Sequence, residues 1–278
     1  MTGERAGAER TRHIIFAALW VLILATLIWP VPTRMKPSPA VRSLHNTIET
    51  LPRNKLVILS VSWDVGTRGE NGPQTSALIN HLFKGGHRFA IFGWVFQPGP
   101  MLAEQIADSL APRYGKHYGT DWVNWGFKAG GSPMLQALAK DIPGVIVEDL
   151  NHTSITRIPA MAGVKDWHDI GMVIDITGTS SLDSWVAFWQ GVYGVPLGYA
   201  CTGVMGPESF PYLDAGQIKG VVNGLVGSAE YEVLVGVSGQ GQQRMTSQSA
   251  AHVLIIVLII AGNLLMLRDR KRRAKAGG

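Results

Sequence analysis

One cysteine in 278 residues excludes an internal disulfide framework and any multi-cysteine zinc or iron–sulfur site. Charged side chains are also sparse, at 16% of the chain, where an ordinary soluble domain carries about 25%. Familiar chemical signatures are missing. There is no Gly-Lys-Ser/Thr phosphate loop, no G-x-G-x-x-G fingerprint and no G-x-S-x-G nucleophile elbow. The eight histidines are scattered and form neither H-x-H nor H-E-x-x-H, so the spacing offers no metal site, and no cofactor is expected.

The formal charge of +5 suggests an anionic polymer as partner until it is located. Residues 1–13 carry a net +1 and residues 268–275 (RDRKRRAK) a net +5, leaving −1 for everything between. The basic character lies in the tails, which argues against nucleic acid as a partner.

Long apolar runs explain those tails. Ile14 to Pro32 has no charge in 19 residues, and Ala250 to Leu267 is an 18-residue run whose polar members are His252 and Asn263. At about 1.5 Å per helical residue against a hydrocarbon core of roughly 30 Å, both are expected to span a bilayer. The flanking bases are balanced around the first run and concentrated after the second, so both termini are expected to be cytoplasmic and the middle extracytoplasmic. The resulting organisation is a cytoplasmic tail (1–13), a signal anchor (14–32), a linker (33–54), an α/β domain (55–235), a second linker (236–249), a second span (250–267) and a basic cytoplasmic tail (268–278). Ser38-Pro39-Ala40 has the small-x-small pattern of a signal-peptidase site, the alternative to an uncleaved anchor.

The middle domain alternates apolar runs with helical spacing. Strands are expected over 55–64, 87–96, 145–148, 171–176 and 195–202, and helices over 72–83, 98–114, 131–142, 181–193 and 217–235. Strands apolar on both faces, separated by helices, imply a three-layer α/β sandwich with a mostly parallel, doubly wound sheet of about five strands. This alternation resembles periplasmic-binding-like and other doubly wound modules, a likeness of fold class that carries no function. Residues 151–169 fit no element and read as an excursion across the carboxyl edge of the sheet or as an interface segment.

Ligands of an open parallel sheet sit beyond the carboxyl ends of its strands. The candidate ligand-binding residues are therefore Asp64, Gly66 and Arg68 after the first strand, Trp94 after the second, Asp149, and Thr179 and Ser180 ahead of a helix. Glycine loops and hydroxyls opening helices present free N–H groups to an anion. Asp64, Asp149 and Asp175 fall near strand ends, where converging carboxylates could hold a cation or exchange protons. Cys201 lies in an apolar strand and reads as a small buried hydrophobe. Gly220, Gly224 and Ser228, four apart in the expected last helix, would make one narrow face for close approach of another backbone, a candidate interface. Two functions remain in view. One is a non-enzymatic, membrane-anchored accessory module that binds a small ligand or docks on a membrane-protein partner or on itself. The other is a membrane-bound hydrolase or transferase active at the carboxyl edge of the sheet.

Overall fold

The computed structural model describes residues 2–28 and 35–276, which fall into two compact units, one comprising 1–34 with 243–278 and the other 35–242. In chain order the helices and strands are α1 (Thr2–Ile28), α2 (Pro39–Glu49), β1 (Leu56–Ser62), α3 (Arg68–Gly85), β2 (Phe89–Gly93), α4 (Gly99–Leu110), β3 (Trp122–Phe127), α5 (Gly131–Lys140) and α6 (Ile142–Val145). They continue with β4 (Ile170–Thr177), α7 (Leu182–Trp185), a π turn (Val186–Gln190), α8 (Gly191–Tyr193), β5 (Leu197–Cys201), α9 (Gly206–Asp214), β6 (Val221–Asn223), α10 (Gly224–Val235) and α11 (Gln240–Ala276).

Unit 35–242 is built on a six-stranded sheet in the order β3-β2-β1-β4-β5-β6, every neighbouring pair parallel. The order reverses between β1 and β4, which makes the sheet doubly wound with its switch point there. β1 and β4 are buried along their whole length, as a central strand covered on both faces must be. Leu56 and Ile58 face one core with Trp125, Trp185 and Trp189, while Val57, Leu59 and Val61 face the other with Leu78, Phe83 and Phe89. This two-sided core gives the three layers that the strand–helix alternation implies.

The sheet has one strand more than expected, and two elements change type. Val145–Glu148 is no strand: Val145 closes α6 and Glu148 makes a single bridge to Ser154. β3 was not anticipated, because Asn124 and Gly126 interrupt its apolar pattern. Val221-Val222-Asn223, expected inside a helix, instead pairs with Tyr199-Ala200-Cys201 as β6. Residues 151–169 form three short 3₁₀ turns that bury Ile155, Ile158, Ala160, Met161 and Val164 in the core. Arg88 holds this segment through its Nη1 to the carbonyl of Ala160 at 2.9 Å. The segment is a covering layer packed on the core, which accounts for its length.

In the other unit, Thr26 on α1 meets Ser247 on α11 through their hydroxyls at 3.2 Å. Among the described residues one helical stretch, Gln240–Arg268, is long and apolar enough to cross a membrane; its apolar 18-residue window has a mean hydropathy of 2.5 and no buried residue. The expected pair of spans is thereby reduced to one. α1 carries Glu9, Arg10 and Arg12 ahead of its apolar run, which begins at Ile14. The rest of the expected 14–32 span, residues 29–32, lies outside the described residues.

Candidate functional site at the carboxyl edge of the sheet

The loops after β1 and β4 meet at the switch point. Gly178 N donates to Ser62 O at 3.3 Å, and a Cβ on Gly178 would lie 2.7 Å from Thr67 Cγ2, so glycine is what permits the contact. Thr179 N donates to Thr177 Oγ1 at 2.9 Å, and Ser180 is exposed beside it. Asp64 is partly buried, and its Oδ1 accepts Gly66 N–H at 2.8 Å, closing the turn that leads into α3. Arg68 is exposed in the first turn of α3. Trp94 follows β2 and packs edge-on against Trp185, with ring centroids 6.4 Å apart. Asp64, Gly66, Arg68, Trp94, Thr179 and Ser180 thus share one edge, on the loops of three adjacent strands.

Asp149 does not join them. It sits beyond the outer strand β3, where Oδ2 accepts the Tyr118 hydroxyl at 2.7 Å and Oδ1 accepts the N–H groups of Asn151 and Thr153 at 3.0 and 2.7 Å. These bonds knot the loop and push the Tyr118 hydroxyl pKa upward through burial and the carboxylate partner. Asp175 is also withdrawn from the edge. It is fully buried between Ser60 and Ser181, and burial raises its pKa to about 6. Cys201 is buried, and its thiol is pushed up to about 12, chiefly by burial, so it stays a neutral thiol.

The glycine–serine face is corrected by β6. Gly220 precedes that strand, Gly224 opens α10 at φ 58°, and Ser228 lies inside α10, so the three do not line one helix. Each packs within its own unit: a Cβ on Gly220 would come 2.4 Å from Ala40 O, and one on Gly224 would come 3.0 Å from Glu70 Oε2. Ser228 is fully buried.

The residues that organise the edge are amides in α3. Gln74 Nε2 lies 2.7 Å from Cys201 O and 3.1 Å from Val222 O, while Asn71 Nδ2 donates to Thr177 O at 3.0 Å. Glu70 Oε2 accepts Gly203 N–H at 2.8 Å. Together they hold the carboxyl ends of β4, β5 and β6 in place. Their sequence signal is Glu70-Asn71 and Gln74, polar residues crowded into the first turns of a helix whose following residues are apolar.

Nine buried side-chain polar atoms among the described residues have no hydrogen-bond partner, and five belong to this edge. They are Ser62 Oγ, Trp63 Nε1, Thr67 Oγ1, Asn71 Oδ1 and Trp94 Nε1. Each unpaired buried polar group carries a desolvation penalty of about 1–3 kcal/mol, so this edge holds an unmet hydrogen-bonding demand beneath its surface. Comparison of the chain with protein-family models, curated proteins and solved structures finds no match.

Proposed function

We propose that this protein is a membrane-tethered α/β module that binds a small polar ligand at the carboxyl edge of β1, β2 and β4. The carrying observation is the set of five unpartnered buried polar atoms at the sheet's switch point, which supplies two indole N–H donors, two hydroxyls and an amide carbonyl. A ligand beside Trp94 that offers acceptors to the indole N–H groups and a donor to the Asn71 carbonyl meets part of that set. Asp64 and Thr179 are occupied in local turn bonds, so they favour positioning over acid–base catalysis. α11 serves as the membrane tether. The bases from Arg268 to Lys275 favour a cytoplasmic C-terminal end, with the ligand-binding domain on the opposite side.

Native mass spectrometry of the full chain from mild detergent is expected to show a small co-purifying molecule that is lost in Thr67→Val and Asn71→Ala. A bare chain whose melting temperature no polar metabolite shifts would overturn the ligand reading. Protease added to intact cells is expected to digest the domain, and digestion confined to inverted vesicles would overturn the orientation.

A further inference from the structure

We propose that His45, Glu49 and His81 form a binding site for one divalent transition-metal ion, of which Zn²⁺ is the type. The site goes beyond the ligand-binding edge and lies away from it. α3 runs back from the carboxyl edge, bringing His81 near its C-terminal end beside the residues that precede β1.

His45 and Glu49 stand four apart on α2, and so share one helix face. The adjoining face of α2, with Val41, Leu44 and Ile48, is buried in the core, which fixes the helix against the sheet. His81 reaches the same point from α3. The potential ligand atoms of the three residues all lie within 4.8 Å of one another. Sequence spacing hides this set, because 36 residues separate His45 from His81 and neither is part of a recognisable motif.

Hydrogen bonds at both nitrogens fix the orientation of the His81 ring. His81 Nδ1 lies 2.7 Å from the hydroxyl of the fully buried Tyr231, while Nε2 points to Glu49 Oε1 at 2.8 Å. In the metal-free chain Nε2–H donates to the Glu49 carboxylate and Nδ1 accepts the Tyr231 hydroxyl, so ligation through Nε2 moves the ring proton to Nδ1, where the Tyr231 oxygen can accept it. The rings of His45 and His81 stack with centroids 4.3 Å apart and planes within 13°. Metal capture therefore replaces the His81–Glu49 hydrogen bond and turns the partly exposed His45 off the stack.

Two imidazoles and a carboxylate leave a tetrahedral ion one open position. That position faces a cleft of about 310 Å³ lined also by Arg53 and Lys84. Their charges select an anionic fourth ligand, such as a carboxylate, over water alone.

The test uses the full chain, purified in detergent, freed of any tag and stripped with chelator. Titration with Zn²⁺ is expected to give one equivalent per chain, and Co²⁺ is expected to give the visible absorption of a tetrahedral centre. His45→Ala and Glu49→Gln, both at partly or fully exposed positions, are expected to keep the apo melting temperature and to weaken Zn²⁺ at least about tenfold each. No binding by the wild-type chain would overturn the proposal, as would affinity unchanged in both variants. Loss of His81 is a less clean probe, since that ring is buried, and the two α2 variants decide the question without it.

Discussion

The hydroxyl of Ser60 on β1 donates to Asp175 Oδ1 on β4 at 2.7 Å, joining the two strands at which the sheet reverses its order. Ser181 Oγ occupies the other carboxylate oxygen at 2.6 Å, and Trp185 Nε1 donates to Ser60 Oγ at 3.1 Å. A carboxylate with two hydroxyl donors and no cation partner is buried at the centre of the core. Hydrogen bonding offsets part of the desolvation, and the net effect is a pKa raised to about 6.

That shift has a definite sign. The folded state holds the Asp175 proton more tightly than the unfolded chain does, so the group favours folding at low pH and loses that contribution as pH rises from about 4 through 6. The amount is of the order of 3 kcal/mol. Asp175→Asn keeps the shape without the charge. Urea denaturation at pH 5 and pH 8 is expected to show the variant gaining on the wild type at the higher pH. Because buried histidines pull in the opposite direction, the difference between the two proteins is the quantity to read. An equal pH slope in both would contradict this account.

Gln74 offers a second test. Its amide is shared by the carbonyls of Cys201, the last residue of β5, and Val222 within β6, and Asn71 hydrogen-bonds to its Oε1 at 2.9 Å. Gln74→Ala strands these buried groups and leaves a cavity, so a loss of about 2–4 kcal/mol is expected by chemical denaturation. Gln74→Glu replaces the donor with an oxygen facing carbonyls and is expected to be at least as damaging at neutral pH.

Much of this architecture was legible in the chain. Runs such as LVILSVS and FAIFG are apolar on both faces, as only a covered parallel strand can be, and Gly85-Gly86 marks the end of α3 with Gly86 at φ 68°. The missed strands had weaker local signals. β3 contains Asn124, whose Oδ1 accepts Gly126 N–H, so a polar residue serves the backbone inside an otherwise apolar strand. β6 has three residues and owes its conformation to pairing with β5, a tertiary contact that no local window reveals. The edge position of Asp64, Trp94 and Thr179 followed from the alternation alone. The unpaired atoms and the His45–Glu49–His81 convergence depend on helices distant in sequence packing side by side.

Gly220 distinguishes an internal packing role from an interface. A Cβ there would fall 2.4 Å from both Ala40 O and Leu44 N, which are backbone atoms of α2 and cannot swing aside. Gly220→Ala is expected to destabilise the domain by about 1–3 kcal/mol, with no change in oligomeric state for the fraction that remains folded. Retained stability with loss of self-association by light scattering would restore the interface reading.

Glu232 governs the start of α11. It is buried on α10, and its two carboxylate oxygens accept the N–H groups of Gly241 and Gln242 at 2.8 and 2.9 Å. Those are first-turn donors that the helix itself cannot satisfy, and a negative charge there also complements the helix dipole. A Cβ on Gly239 would meet Glu232 Oε1 at 2.2 Å, so the turn closes directly over the carboxylate. Burial raises the Glu232 pKa, with the backbone N–H bonds opposing the shift. Glu232→Ala removes both acceptors and is expected to fray α11 at its start. Limited proteolysis near residues 236–242 should accelerate severalfold while the thermal transition of the domain falls by only a few degrees. Glu232→Gln retains one acceptor oxygen and should lie between the two. If all three proteins are cut at the same rate, the first turn of α11 is held by something other than this carboxylate.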